Sequence, residues 1–280
     1  MLRRLLCLFP LLLMSASAAA EKETVVLLHG LGLGGWAMAR LGRVLTRDGY
    51  RVVNLTYPSR TVPLETLARD WLPAQLRAHA TDIAATPRLH FVTHSMGGIL
   101  VRTWLDEQRR AGTAFPANLG RTVMIAPPNA GSAVAEKLQK FPPFRWFTGV
   151  NGRRLGTSPA SLPNTLGPWP AAMFARPRPD DEEAEDADND VTAPAAASAR
   201  TSANPRAGAG ELGIIAGDHS LNPLFSAWLA GPNDGKVSVA STHLAGETAH
   251  RVLHCSHTFL QWHHTTALAV STFLRSGRFD

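Results

Sequence analysis

Cysteine is nearly absent from this 280-residue chain, which has only two. Cys7 lies in an amino-terminal apolar run read below as a removable leader. That leaves Cys255 alone and excludes an internal disulfide in the remainder. A core of this size needs no such staple. Cys255 sits in an apolar, strand-like run, where it reads as a small buried hydrophobe rather than a nucleophile. No apolar run is long enough to cross a bilayer comfortably. The formal charge is +6 and the isoelectric point is near 10.0, yet there is no basic stripe interleaved with stacking aromatics, so a nucleic-acid surface is excluded. The basic residues are scattered, apart from Arg3-Arg4, Arg109-Arg110 and Arg153-Arg154. That balance leaves room for peripheral contact with anionic membranes. Gly32-Leu33-Gly34-Gly35 matches neither a dinucleotide fingerprint nor a phosphate-binding P-loop. His263 and His264 are adjacent and cannot share one helical face, so no metal-ligand set emerges. No cofactor and no metal are expected, and no internal repeat is present.

What is there begins with residues 1–20. Arg3-Arg4 form a positive start, Leu5 to Met14 an apolar run, and Ala18-Ala19-Ala20 a small-residue cleavage site before Glu21. This is the pattern of a signal peptide, so the mature chain is expected to be exported, periplasmic or secreted. The alternative is an uncleaved anchor, for which the run is short.

The 45% hydrophobic content supports one sizeable core over residues 21–280. Thr24 to Leu28 is a continuous β-branched apolar run, as expected of a strand covered on both faces. Trp36 to Leu45 has helical spacing, Arg51 to Leu55 is strand-like, and Leu64 to Ala80 is an amphipathic helix interrupted near Pro73. Leu89 to Val92 starts another strand, and Arg121 to Ala126 another, stopped by Pro127-Pro128. Strand and helix alternate, which predicts an α/β fold with a mainly parallel central sheet flanked by helices. Regularity lapses over 129–175, rich in Pro, Gly and Trp, with one helical patch at Val134 to Leu138. Residues 176–210 carry the acidic run Asp180 to Asp190 and then an Ala/Ser/Pro/Gly tract, a composition that predicts a disordered insertion. A calcium loop is the sharper alternative, but the central Gly and terminal Glu are missing. Strand-like character returns at Leu212 to Asp218 and His250 to Cys255, and Gln261 to Leu274 closes as a helix.

The chemistry gathers around Leu89 to Val101. A strand runs into a helix through Thr93-His94-Ser95-Met96-Gly97-Gly98, which pushes Ser95 out at the apex of a tight elbow. The first amides of the helix surround it, and they suit developing negative charge. Thr93 stands where the commonest pattern has Gly, which strains the close approach of strand and helix.

A serine hydroxyl needs a base, and the base needs an orienting acid, here in the chain order Ser, acid, His. Asp234, in Asn233-Asp234-Gly235, is preferred to Asp218, which follows a strand directly and is expected to cap the turn into Ser220 to Pro223. Five histidines lie near the end: His250, His254, His257, His263 and His264. His257 occupies the loop past the last strand, whereas His250 and His254 fall in the strand and His263 and His264 in the closing helix. The oxyanion donors would be the Met96 amide and the Leu31 amide in His29-Gly30-Leu31, with His29 structural or orienting.

These motifs resemble the α/β-hydrolase superfamily, most of all its lipase and PGAP1-like serine hydrolase branch. The resemblance rests on His29-Gly30-Leu31-Gly32, Thr93 to Gly98, Asn233 to Val237 and Ser256-His257-Thr258. It covers roughly Thr24 to Pro128 and Leu212 to Phe279, and the middle of the chain lies outside it. It implies an α/β-hydrolase fold with an irregular cap, a triad of Ser95, Asp234 and His257, and an oxyanion hole of the Leu31 and Met96 amides. The expected activity is cleavage of a small-molecule or lipid carboxylic ester through an acyl-enzyme. Phe144, Trp146, Phe147, Leu155, Leu162, Leu166 and Trp169 are expected to line an apolar acyl pocket in the cap, with ordinary packing as the alternative. Two other readings stand beside hydrolysis. One is acyl transfer by the same triad. The other is a non-catalytic lipid- or partner-binding protein with the same fold, which fluorophosphonate labelling of Ser95 would distinguish. Haloalkane or epoxide chemistry is disfavoured because those relatives place Asp at the elbow.

Overall fold

The computed structural model describes residues 21–80, 83, 86–113, 115–170 and 210–280. The expected leader at 1–20 and all but the last residue of the expected acidic insertion at 176–210 lie outside the described residues, as do the final residues of the expected cap.

Six strands form one sheet: β1 (Thr24–Leu28), β2 (Arg51–Leu55), β3 (Leu89–His94), β4 (Leu119–Ile125), β5 (Leu212–Gly217) and β6 (Ala249–Leu253). All neighbouring pairs are parallel, in the order β2-β1-β3-β4-β5-β6. The apolar runs are continuous because both faces are covered, and strand periodicity sends alternate residues to opposite sides. Val26, Leu28, Phe91 and Ile214 join one buried cluster with residues of the helices after β2 and β3. Val25, Leu27, Val92 and Ile215 join the other with residues of the first and last helices.

Helix α1 (Ala39–Arg47) is preceded by a 3₁₀ turn at Gly35–Met38, so the stretch read as one helix from Trp36 begins tighter. The helix after β2, α2, runs through Leu64–Thr66, a π-turn at Leu67–Trp71 and Leu72–Ala78. The break falls one turn before Pro73, where the missing N–H and the proline ring disturb the ladder. Helix α3 (Met96–Arg110) follows the elbow. The last strand ends at Leu253, which leaves His254 beyond it rather than inside it. A 3₁₀ turn at Leu260–Trp262 precedes the closing helix (His264–Ser276), so the helix starts later than Gln261.

The strand order reverses between β1 and β3. The chain leaves β1 for the edge strand β2 and returns to pair β3 on the other side of β1. In such sheets a crevice opens at the carboxyl ends of the strands where the order reverses. Leu28 pairs with Thr93, so the loop after β1 and the elbow after β3 start at the same level and side by side.

The segment before residue 171 forms α4 (Ala133–Leu138), α5 (Pro142–Gly152) and a short turn of helix at Leu162–Thr165. Two buried polar side chains fasten it. Asn151, at the end of α5, accepts from the Leu64 amide at 2.9 Å and donates to Ser59 O and Val62 O at 2.9 and 2.8 Å. Arg102, on α3, donates to Asn129 O, Pro163 O and Gly167 O at 3.0, 3.2 and 3.3 Å. Its burial pulls the guanidinium pKa down to about 10. Of the seven residues expected to line a pocket, Leu155 and Trp169 are buried in the core, and Leu162 and Leu166 pack against it. Trp146 and Phe147 instead face solvent. The seven therefore do not form one acyl pocket: packing claims Leu155, Trp169, Leu162 and Leu166, in a segment that Asn151 and Arg102 fasten to α2 and α3.

Candidate active site

Ser95 has φ 54° and ψ −122°, a left-handed backbone rarely tolerated outside glycine. Such strain costs roughly 1–3 kcal/mol and persists only when the surroundings fix it. Here the Ser95 amide donates to Ile125 O at 2.8 Å, and the Gly98 amide to Ser95 O at 3.0 Å. Gly97 permits the close approach, since a Cβ there would lie 2.6 Å from Leu28 O. A Cβ on Gly98 would lie 3.3 Å from Thr93 Oγ1. The larger Thr93 is thus accommodated because its neighbour on the helix carries no side chain. Ser95 does not cap the helix with its side chain, which leaves the hydroxyl for another partner.

That partner is His257. Ser95 Oγ lies 3.0 Å from His257 Nε2, and His257 Nδ1 lies 2.7 Å from Asp234 Oδ2. With Nδ1–H donating to the carboxylate, Nε2 is the acceptor for the serine hydroxyl. Asp234 and His257 are 2% and 4% exposed, so water competes little for either bond. The other Asp234 oxygen accepts from the Lys236 and Val237 amides at 2.9 and 2.7 Å. Gly235 supplies the positive φ (91°) that this turn needs. Gly217, at the end of β5, leaves room for the acid, because a Cβ there would lie 2.9 Å from Asp234 Cβ.

The loop after β1 runs directly over the elbow. A Cβ on Gly30 would lie 3.2 Å from Ser95 Cβ. His29 stacks on Tyr57 at 4.2 Å and accepts from the Tyr57 amide through Nε2 at 3.1 Å. Its Nδ1 therefore carries the proton and donates to Gly30 O at 2.8 Å. The Tyr57 hydroxyl donates to His29 O at 2.6 Å. Gly30 O also accepts from the Leu33 amide at 3.2 Å. In a trans peptide the N–H points away from its own carbonyl, so these bonds turn the Leu31 amide to the opposite side. The Met96 amide is the first of α3 and has no carbonyl partner inside the helix.

Three site-building residues were not anticipated. Tyr57 holds the oxyanion-loop candidate, Asn151 ties that neighbourhood to α5, and His94 braces His257. His94 Nε2 donates to His257 O at 3.1 Å, while its Nδ1 is buried without a partner. Complete burial holds its pKa well below the usual histidine value, so the ring is neutral. No local pattern marks these pairings, because each joins loops distant in sequence.

The remaining candidates go elsewhere. Asp218 Oδ1 lies 2.9 Å from His254 Nδ1, at the exposed rim, and does not cap the following turn as expected. Ser220 Oγ accepts from the Asn222 amide at 3.2 Å inside that turn, and Asn222 caps the helical turn after it, accepting from the Phe225 amide at 3.1 Å. His250 bonds Thr242 Oγ1 at 2.8 Å and stacks on His243. His263 and His264 start the closing helix. Cys255 is buried, and desolvation pushes its thiol pKa up.

A family profile described as "Alpha/beta hydrolase family" matches residues 25–270. The chain belongs to the alpha/beta hydrolase family. Among solved structures, it is similar to the mature Bacillus licheniformis lipase BlEst2, at 16% identity and TM-score 0.55, covering 92% of each chain. It is similar to the Pyrococcus furiosus esterase Pf2001, at 15% identity and TM-score 0.51, covering 91% of this chain and 83% of that one. It is also similar to the phospholipase PlaB from Legionella pneumophila, at 19% identity and TM-score 0.51, over 80% of this chain but 45% of that one. A search of curated protein sequences gave no match.

Proposed function

We propose that this chain is an exported serine hydrolase that cleaves carboxylic esters, lipid or acyl esters among them, within the lipase and PGAP1-like branch of its family. The observation that carries the reading is the unbroken chain Ser95 Oγ, His257 Nε2, His257 Nδ1, Asp234 Oδ2, with links of 3.0 and 2.7 Å. The branch rests on the four motifs, and export on the composition of residues 1–20. The solved neighbours named as lipase, esterase and phospholipase agree with ester chemistry.

In this reading His257 Nε2 takes the Ser95 proton as Oγ attacks the ester carbonyl. The carbonyl oxygen becomes an oxyanion, held by the Leu31 and Met96 amides. The intermediate collapses, the C–O bond to the alcohol breaks, and His257 returns the proton to the departing alcohol. Water then attacks the acyl-enzyme, giving its proton to Nε2, and the second collapse frees the acid and restores Ser95. Asp234 holds the imidazole in the Nδ1–H tautomer and balances its charge when both nitrogens are protonated. The buried, amide-bonded carboxylate suits that task because its own orientation is fixed.

The test is turnover of a nitrophenyl ester series, short to long acyl, by the mature protein and by Ser95→Ala, with fluorophosphonate labelling of both. Activity and labelling that vanish in the variant support the serine as nucleophile. Absence of both in the unaltered protein would put the binding-protein reading first. An added alcohol converts the product to a new ester if acyl transfer is the true reaction.

A further inference from the structure

A cavity of about 580 Å³ lies between the loop after β2 and helix α5. Three guanidinium-bearing residues line it, Arg60, Arg145 and Arg153, together with Trp146 and Gln139. None of the three arginines forms an ion pair among the described residues. The carboxylates on the flanking helices are taken: Glu65 pairs with Arg154 at 3.0 Å, and Glu136 accepts from the Thr157 amide at 2.8 Å and from its hydroxyl. Like charges gathered around one space repel one another unless an anion joins them.

The cavity borders the candidate catalytic machinery. The Gly32 amide, one residue past Leu31, donates to Ser59 Oγ at 3.0 Å. Arg60 comes next in the chain, and its Cδ would lie 3.9 Å from a Cβ on Gly32. Asn151 fixes α5 against Ser59, so the wall carrying Arg145 and Arg153 is held in place relative to that loop.

Arg60 is also oriented in advance. It donates through Nη2 to Trp146 O at 2.8 Å, and its guanidinium lies 5.6 Å from the centroids of Trp146 and of Phe147. Its Nε is buried without a partner. A planar guanidinium held over aromatic faces keeps its remaining N–H groups for a carboxylate or phosphate, which it binds as a fork.

We propose that this cavity, lined by Arg60, Arg145 and Arg153 beside the Leu31 loop, binds a phosphate or carboxylate group carried by the ester substrate. The proposal rests on the serine hydrolase reading and names its substrate class: esters with an anionic group outside the bond that is cut. Trp146 gives the adjoining stem of the substrate an apolar wall.

The experiment measures kcat/KM on soluble, monomeric ester pairs with the full chain. One pair places the charge on the alcohol side: hexanoyl glycerol 3-phosphate against hexanoyl glycerol. The other places it on the acyl side: the nitrophenyl half-ester of glutaric acid against nitrophenyl pentanoate. The expected result is at least a tenfold preference for the anionic member of one pair. That ratio should fall towards one in Arg145→Glu and Arg153→Glu; both residues are exposed, and a ratio taken within one preparation is insensitive to partial misfolding. Ratios near one in both pairs, with neutral esters turned over and Ser95 labelled, overturn the anion site and leave the hydrolase standing. A preference seen only on phosphatidylglycerol vesicles also overturns it and assigns the arginines to a membrane surface. No turnover and no labelling bring down both readings together.

Discussion

Two Asp–His pairs stand on the same carboxyl rim, their histidines three residues apart in the chain. Asp234–His257 spans 2.7 Å and Asp218–His254 spans 2.9 Å, so bond length does not separate them. Their surroundings do. The side chains of the first pair are 1% and 5% exposed, and those of the second 34% and 76%. The second Asp234 oxygen is held by two amides, and His257 meets a serine through its free nitrogen. In the proposed hydrolase an acid–imidazole contact serves catalysis only when the carboxylate is fixed, the ring is shielded from water and a nucleophile waits on the far side. The exposed pair is worth little even structurally, because solvent screens it.

The largest effect expected is on the element the second pair lacks. Ser95→Ala should lower ester turnover by at least roughly 10⁴-fold and abolish fluorophosphonate labelling. Retained labelling would place the nucleophile elsewhere and erase the contrast. Asp234→Asn should follow, with kcat down by about 10³–10⁴-fold, since an amide at that position presents the wrong partner to Nδ1–H. A steady-state comparison that found the larger loss in Asp218→Asn would exchange the roles of the two pairs.

His94 sharpens the contrast from behind. Replacing it by Leu removes the donor to His257 O and should reduce kcat by roughly 10–100-fold through misplacement of the base, with KM little changed. The same variant alters acid stability. Burial depresses the folded-state pKa of His94, so the unfolded chain takes up the proton first. Stability is intact above about pH 6.5 and is lost as pH falls below it, at up to about 1.4 kcal/mol per pH unit for such a histidine. Denaturant melts between pH 7 and 5 should show a shallower decline in His94→Leu. An unchanged slope would mean that His94 is not suppressed. The smallest effect belongs to Asp218→Asn, which should leave kcat within about twofold and stability within about 0.5 kcal/mol.

Much of the fold could be read directly. Thr24–Leu28 and Arg51–Leu55 are bounded as their β-branched runs suggest, since nothing distant redefines the ends. Ends set by tertiary pairing moved instead. Strand β4 begins at Leu119 rather than Arg121, because β3 offers it a partner there, across a register irregularity at His90. His254 left the last strand because β5 ends opposite Leu253 at Gly217. Within the site, Ser95, His257 and Asp234 were legible from motif and chain order. His94, Tyr57 and Asn151 were not, because each works through a bond to a loop at least 28 residues away.

The sequence by itself therefore determined the covalent supply: apolar runs that must be covered on two faces, glycines where backbone must pass backbone, and a serine, an acid and a base in a fixed order. Hydrophobic periodicity and steric need are local properties, legible without the partner they will meet. Only the tertiary structure decided which carboxylate faces which imidazole, how Gly98 makes room for Thr93, and that Arg60, Arg145 and Arg153 border one space. Those outcomes depend on distances between elements far apart in the chain, and the reversal of strand order between β1 and β3 is what brings the first of those elements together.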